Sequence, residues 1–374
     1  MAVNRIYYKE GKKYCVPVTT KKEFYLLRDS RYNVECVEKA RRGETYKDND
    51  GKEKEYKAKL VQFNYSCIPN EDGTLGFRLA LVPIQPSDPG DVQLPAEPPP
   101  PLKPKVLPPV EFAGPVRLPG DVMLEMVRIK AGSFMMGSPE NELGRNDNEE
   151  QYRVTLTRDY FLGKYEVTQR QWQAVMGNNP SRSQRGNNYP VESVSWNDAK
   201  KFCEKLNELY KGKLPQGYCF DLPTEAQWEY ACRAGTTTAL NNGKNLTAAE
   251  RFCPSLNEVG WYYFNSRNPG RKGKCSTHKV GLKRPNAWGL YDMHGNVCEW
   301  CRDYIHQYEG EAVDPLCQTR TSNPMRIIRG GGWGALPRLL RSARRLANSP
   351  DHRRPEVGFR LALVPIQTPP GEKR

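Results

Sequence analysis

The sequence predicts a mixed α+β domain with much irregular loop, preceded by a small basic domain and a Pro-rich linker. Proline becomes dense between residues 86 and 115, with four consecutive prolines at 98–101. All seven tryptophans follow that stretch, from Trp172 to Trp333, so the larger aromatic core must follow it too. After the linker, short alternating strand patterns and three helix patterns are separated by long runs of turn residues.

The length of 374 residues exceeds what one compact core usually serves, which favours two domains and a linker. We place a small basic α+β or β-rich domain of unknown role at 1–85 and the linker at 86–118. The larger domain then covers 119–367, and 368–374 form a tail. No stretch is apolar enough for a membrane span, and the N-terminus has no signal-peptide core. Cytoplasmic location is therefore the default expectation.

The chain is basic, with a formal net charge of +14. This balance favours acidic partners such as nucleic acid, although it does not bear on the fold. Two interpretations stay open for the basic N-terminal domain, namely nucleic-acid binding and simple solubility. Cys298 and Cys301 form a CxxC without a second such pair, so we favour packing thiols over zinc ligands.

Three helices are predicted after the linker from their capping residues. Thr168 is expected to begin a helix that ends before Gly177, and Ser195 a second whose apolar positions run from Ala199 to Leu209. Thr224 and Gln227 form a capping-box pattern that opens a third.

An exact ten-residue repeat links the two domains. Residues 76–85 (GFRLALVPIQ) recur letter for letter at 358–367. The alternating pattern ending in proline is typical of a strand that finishes a unit. We therefore expect both domains to close with the same edge strand.

Several short motifs occur in an order typical of one family. They are GSFMMG at 132–137, YEVT at 165–168, PVESVSW at 190–196, LPTEAQWEYA at 222–231, GLYDMHGNVCEW at 289–300, RGGGW at 329–333 and GFR at 358–360. Together they resemble the formylglycine-generating enzyme (sulfatase-modifying factor) family. The resemblance covers about two thirds of the chain and implies a C-type-lectin-like fold elaborated with long loops.

The resemblance also implies which residues an active enzyme would need. Oxidase members of the family hold copper with a Cys-x4-Cys pair, whose positions fall at about Ala335 and Leu340 here. No cysteine occurs between Arg329 and Arg360, and copper(I) requires soft thiolate ligands. We therefore expect no copper and favour a protein that is not an enzyme. A formylglycine-generating oxidase, or another enzyme of the sulfatase-modifying-factor type, is the alternative.

The family commonly holds calcium at a Gly-Asn-x-x-Glu turn. Asn296 and Glu299 match this pattern, and the carbonyl group of Val297 is the third ligand that the resemblance implies. Calcium prefers several oxygen donors, which such a turn can supply. The alternative is a turn held only by hydrogen bonds of the Asn296 side chain.

The stretch at 334–356, here called the Arg-rich segment, has an unusual composition. Residues 334–355 contain six arginines and no Lys, Glu, Gln, Met or Trp. Every residue type present can be reached by changing only the adenines of an Asn codon. This resembles targets of diversity-generating retroelements, which use the same fold and place a variable segment between motifs like 329–333 and 358–360. The alternative is an Arg-rich loop of chance composition.

A variable segment would serve as a recognition surface because its ends are held by strands while loops contact the ligand. Arginine can donate paired hydrogen bonds to a carboxylate or phosphate. We therefore predict a non-catalytic ligand-binding protein whose partner is a protein or other acidic ligand. Arg341, Ser342 and Ala343 are expected to form scaffold. The predicted ligand-binding residues are Trp333, Leu336, Arg338, Leu339, Arg344, Arg345, Leu346, Asn348, Asp351, His352, Arg353 and Arg354.

Overall fold

The computed structural model describes residues 110–112, 114–267, 274–308, 310–319, 322 and 324–366, together with the backbone of six earlier strands. Contacts divide the chain into two compact units, Met1–Pro98 and Pro99–Arg374. No helix of the described residues is both long enough and apolar enough to cross a membrane.

The described residues of the first unit form the strands β1 (Val3–Lys9), β2 (Lys12–Val18), β3 (Thr45–Lys47), β4 (Glu53–Glu55), β5 (Ser66–Pro69) and β6 (Leu75–Arg78). These strands pair as three antiparallel hairpins, β1 with β2, β3 with β4 and β5 with β6. The first copy of the repeat begins in β6, and its remaining residues lie outside the described part.

The described residues of the second unit form fifteen short strands and four α-helices. The strands are β7 (Val116–Leu118), β8 (Val122–Leu124), β9 (Met126–Ile129), β10 (Gly132–Met136), β11 (Tyr152–Leu156), β12 (Tyr160–Gly163), β13 (Tyr218–Asp221), β14 (Gly260–Trp261), β15 (His294–Gly295), β16 (Cys298–Tyr304), β17 (Ala312–Val313), β18 (Arg326–Arg329), β19 (Leu346–Asn348), β20 (Val357–Gly358) and β21 (Ala362–Pro365). The helices are α1 (Gln169–Met176), α2 (Trp196–Leu209), α3 (Glu225–Arg233) and α4 (Pro254–Asn257).

The first three helices begin where their capping residues predicted. Thr168, Ser195 and Thr224 each accept a hydrogen bond from the backbone N–H three residues later, and each cap is a complete capping box. Helix α2 buries its face from Ala199 to Leu206. The inclusion of Leu209 in that face was wrong, because its side chain is 49% exposed at the last turn.

A four-stranded sheet in the order β13-β21-β12-β9 separates two parts of the core. Alternate side chains point to opposite faces, so Phe161 and Leu363 join one apolar cluster while Leu162 and Val364 join the other. The repeated sequence lies at β21, which pairs with neighbours on both sides. The expectation of an edge strand was therefore wrong for this copy, because β21 is apolar on both faces and suits an interior position.

The end of the predicted linker belongs to the core of the second unit. Phe112 makes edge-to-face contacts with Phe161 and Phe220. Strand β7, which ends at Leu118, pairs with β8. These residues are apolar and buried or half-buried, so they contribute to the core rather than to an extended spacer. The predicted tail at 368–374 lies outside the described residues.

Candidate functional site

The Arg-rich segment is fixed at both ends in one sheet, whose order is β19-β18-β16-β20. Strand β18 ends at Arg329 just before the segment, and β20 begins at Val357 just after it. Within the segment, β19 pairs back onto β18. The Arg-rich segment is therefore held by strands at its two ends and once in the middle, which limits how far its loops can move.

Arg341 anchors the segment from inside the protein. Its side chain is fully buried, and its Nη1 atom donates to Glu142 Oε1 at 2.6 Å and to Glu149 Oε2 at 2.7 Å. Nη2 donates to Glu149 Oε1 and to the carbonyl oxygen of Gly144. Ser342 and Ala343 beside it are also buried. The expectation that these three residues form scaffold is confirmed.

Arg345 is a second internal anchor, so the prediction that it contacts a ligand was wrong. Its Nε and Nη2 atoms each donate to a carboxylate oxygen of Glu225 at 2.7 Å. Nη1 donates to the carbonyl oxygens of Asn148 and His306. Although burial would lower the pKa of Arg345, the charge of Glu225 outweighs it and the pKa is raised. Four of the five N–H donors of the guanidinium are therefore engaged inside the protein, which leaves one N–H on Nη2 for any other partner.

The remaining predicted contact residues reach the surface to different degrees. Asp351, Arg353 and Arg354 are exposed. The half-buried ones are Trp333, Leu336, Arg338, Leu339, Arg344, Leu346, Asn348 and His352.

Some of these half-buried side chains contribute more to packing than to the surface. Leu346 packs against the main core cluster, and Leu339 against a smaller cluster that contains Leu340. Arg344 lies 3.7 Å from the carboxylate of Glu149, and burial lowers its pKa. These residues therefore shape the surface rather than project freely from it.

Two charged residues of the segment bind the start of helix α2. Arg353 forms a paired ion contact with Asp198 at 2.8 and 3.0 Å. Asp351 accepts a hydrogen bond from the Asn197 side chain at 2.6 Å. Arg354, by contrast, is exposed and makes no ion pair within the described residues. This end of the segment thus presents one free guanidinium beside a fixed, paired one.

The positions that correspond to the family's copper ligands are apolar. Ala335 is half-buried, and Leu340 is fully buried with its carbonyl oxygen 2.6 Å from Nδ1 of His294. The thiol of Cys232 lies behind them, 3.8 Å from Nε2 of His294, and burial raises its pKa to about 12. In the described ranges, no three His, Cys, Asp or Glu side chains are grouped to hold a metal.

The turn predicted to bind calcium is occupied by protein partners. The side chain of Asn296 accepts from the backbone N–H of His278 and donates to Glu166. Glu299 accepts from the indole of Trp228 and from the guanidinium of Arg360, at 2.7 Å in each case. The oxygen atoms that calcium would use thus already accept hydrogen bonds within the protein, so binding of the ion would require these contacts to rearrange.

The backbone N–H of Val297 also belongs to this turn and donates to Glu166 at 2.9 Å. Burial raises the pKa of Glu166 well above its usual range and that of Asp292 to about 6. The calcium hypothesis therefore stays a prediction that the hydrogen-bond pattern does not support.

Comparison with known proteins identifies the domain. Residues 116–364 match the Sulfatase-modifying factor enzyme 1-like domain, about two thirds of the 374-residue chain. The chain belongs to this family. Chaperone protein LppX of Paenibacillus barcinonensis is 33% identical over 219 residues, 48% of this chain and 71% of the relative. The formylglycine-generating enzyme of Thermomonospora curvata is 27% identical over 322 residues, 70% of this chain and all of the relative.

A solved structure gives a similar result for the sulfatase-modifying factor domain. Treponema denticola variable protein 1 superposes with a TM-score of 0.56 at 30% identity, covering 65% of this chain and 96% of that protein. The mixed α+β architecture and this likeness confirm the predicted C-type-lectin-like fold.

Sequence reasoning missed the acidic partners that fix the segment within this sulfatase-modifying factor domain. Glu142, Glu149, Glu225 and Glu229 are all buried and bind arginines. Glu225 and Glu229 lie within the LPTEAQWEYA motif, on a helix whose other residues are mostly buried. Glutamate is rarely buried unless it is paired, so these two residues were the signal that indicated buried arginine partners.

Proposed function

We propose that this chain is a non-catalytic ligand-binding protein that presents the Arg-rich segment as its recognition surface. The observation that carries the proposal is that the charged residues of the segment have two different environments. Arg341 and Arg345 form ion pairs with buried carboxylates, whereas Asp351, Arg353 and Arg354 face solvent. Buried anchors of this kind preorganise the loops that they support, which reduces the entropy lost on binding.

The chemistry at the family's catalytic positions supports the same function. Ala335 and Leu340 cannot act as copper ligands, because neither side chain has a donor atom. Cys232 is the thiol that contacts this region, through His294 and Ser342, and its raised pKa keeps it protonated at neutral pH. Residues of these types can support the surrounding loops by packing, but they do not supply the ligands that copper chemistry needs.

The ligand class follows from the exposed groups. Arg354 carries an unpaired guanidinium, and Arg338, whose partner Glu250 is exposed, can exchange that partner at little cost. Guanidinium groups bind carboxylates and phosphates with paired hydrogen bonds. The ligand is therefore a protein or another acidic molecule.

Two measurements test the proposal. Incubation of the chain with copper(I) and a sulfatase-motif peptide should yield no aldehyde, and aldehyde formation above a no-protein control would overturn it. Related isolates should differ mainly within 334–356, while Arg341 and Arg345 stay unchanged. Differences spread evenly along the chain would contradict a dedicated recognition segment. A reverse transcriptase with a near-copy template repeat in the neighbouring DNA would support it independently.

A further inference from the structure

Two stretches of the second unit contain no acidic residue at all. They are residues 167–191, between Glu166 and Glu192, and residues 259–291, between Glu258 and Asp292. In an average protein about a quarter of residues are charged, with both signs mixed. The described basic residues in these stretches are Arg170, Arg182, Arg185, Arg267, Lys274, Lys279, Lys283 and Arg284.

The two stretches lie side by side in the folded chain. The backbone N–H of Val280 donates to the carbonyl oxygen of Asn188 at 3.0 Å. The guanidinium of Arg185 donates to the Ser276 hydroxyl at 2.5 Å and to the carbonyl oxygen of Thr277 at 3.1 Å. They therefore form one surface, here called the acid-free surface, from the described residues of 167–191, 259–267 and 274–291.

The positive charge of the acid-free surface is not neutralised from within. Of its eight described basic residues, Arg284 alone forms an ion pair with another described residue, at 3.6 Å from Glu258. Of the four acidic residues that border the two stretches in sequence, Glu166, Glu192 and Asp292 are buried, and Glu258 is half-buried and paired with Lys244 and Arg284. In the Arg-rich segment, by contrast, most arginines have carboxylate partners. The acid-free surface therefore keeps most of its charge available for a partner.

The contacts of His278 show that this charge is concentrated. Burial lowers the pKa of His278, and the charges of Arg185 and Lys283 lower it further. Because like charges raise the free energy of one another, a polyanion that neutralises the surface is bound favourably.

Two aromatic rings of the surface are covered by its own side chains. Trp261 stacks on His278, at 3.7 Å between ring centroids, and contacts the ammonium group of Lys283, at 4.1 Å from the ring. Tyr189 likewise lies beneath a guanidinium of the surface. Binding of single strands relies on several free aromatic faces that stack on successive bases. Since Tyr263 is the exposed ring among the large hydrophobic residues of the described surface, the arrangement instead suits contacts to a phosphate backbone whose bases remain paired.

We propose that the acid-free surface binds a nucleic acid duplex through its phosphates, without regard to base sequence. Phosphate contacts from Arg and Lys position a protein on a duplex but do not read its sequence. This site adjoins the start of the Arg-rich segment, since Tyr263 donates to the carbonyl oxygen of Ala335 and Ser266 to that of Trp333, but it does not depend on the proposed function. All of its residues belong to the second unit.

The test measures binding of the full chain to a short duplex of mixed sequence over a series of salt concentrations. The variant carries Arg182→Gln, Lys274→Gln and Lys279→Gln, three exposed residues of the surface. The matched control carries Lys201→Gln, Lys205→Gln and Lys211→Gln, which are exposed elsewhere on the same unit and change the net charge equally.

The plot of log affinity against log salt should be less steep for the variant by about 2 to 3, since each lost phosphate contact removes roughly 0.9. At about 0.1 M salt this corresponds to a loss of affinity of roughly a hundredfold or more. The control should bind like the unmodified chain, and all three proteins should have the same Tm.

Three results would overturn the proposal. The first is no binding of the unmodified chain to the duplex, including the case in which it binds only anionic lipid vesicles or a sulfated polysaccharide. The second is an unchanged slope in the variant, which would place the contacts elsewhere. The third is an equal loss in variant and control, which would show that net charge alone is responsible. Ligand binding at the Arg-rich segment is measured separately, so its failure leaves this outcome unaffected.

Discussion

Replacement of Arg341 by alanine is the most direct test of the buried anchors. The change removes five hydrogen bonds and the positive charge between Glu142 and Glu149, both of which are buried. Burial raises the pKa of the carboxyl groups of Glu142 and Glu149, and the contacts with Arg341 lower the pKa of both. For Glu149 these contacts help to hold the pKa below its usual value. Without it, negative charge is stranded in the core at neutral pH.

Breaking a buried ion pair from one side costs about 3–5 kcal/mol. For a domain of this size each kcal/mol lowers Tm by roughly 2–4 °C, so the Arg341→Ala variant should unfold about 10 °C earlier. Thermal and urea unfolding at pH 7, followed by circular dichroism, measure the effect. The deficit should shrink at acidic pH, because protonation removes the stranded charge.

Two further variants make this prediction specific. Arg354→Ala removes an exposed arginine of the same segment and should change stability by no more than about 0.5 kcal/mol. Arg341→Ala combined with Glu142→Gln and Glu149→Gln should recover much of the loss, because no uncompensated charge remains. A loss below about 1 kcal/mol for Arg341→Ala alone would show that the arginine is not an anchor.

Three further predictions concern the surrounding core. Burial lowers the pKa of His294 to about 4, below its unfolded value of about 6.5. The contribution of neutral His294 to the free energy of unfolding is therefore complete above pH ~6.5 and falls by roughly 3 kcal/mol as pH drops to ~4. A His294→Gln variant whose stability has the same pH slope would contradict this. Gly295→Ala should prevent stable folding, since the added Cβ would meet the carbonyl oxygen of Trp261 at 2.0 Å at a φ of +101°; a soluble variant with an unchanged Tm would refute the close approach. Calcium chelation should leave Tm unchanged because Arg360 already neutralises Glu299, and a Tm that rises with added calcium would show that the turn rearranges to bind it.

Local sequence patterns were sufficient for α1, α2 and α3, whereas α4 (Pro254–Asn257), which has no side-chain cap, was not predicted. Thr168, Ser195 and Thr224 act through the backbone N–H groups of the next turn, so the signal and its effect lie within four residues. The same reasoning failed for the end of α2, where Leu209 follows the helical spacing but lies beyond the surface that the helix covers.

Long-range ion pairs explain why the candidate site was predicted less well. Arg345 and Arg354 are alike in sequence context, yet one is buried against Glu225, which is 120 residues away, and the other is exposed. Only tertiary structure brings a carboxylate to one and not the other. The position of β21 inside the sheet was missed for a related reason, since strand order depends on partners that are remote in sequence.

The two buried arginines have a consequence for how such a segment can change over time. A process that rewrites adenines would alter the codons for positions 341 and 345 as readily as their neighbours. Chains altered there would be destabilised, so fewer of them would be folded when they met a target. The range of surfaces that a population can display would then depend on which substitutions the scaffold tolerates. The number of functional sequences of the segment would be smaller than the number that the codons alone allow.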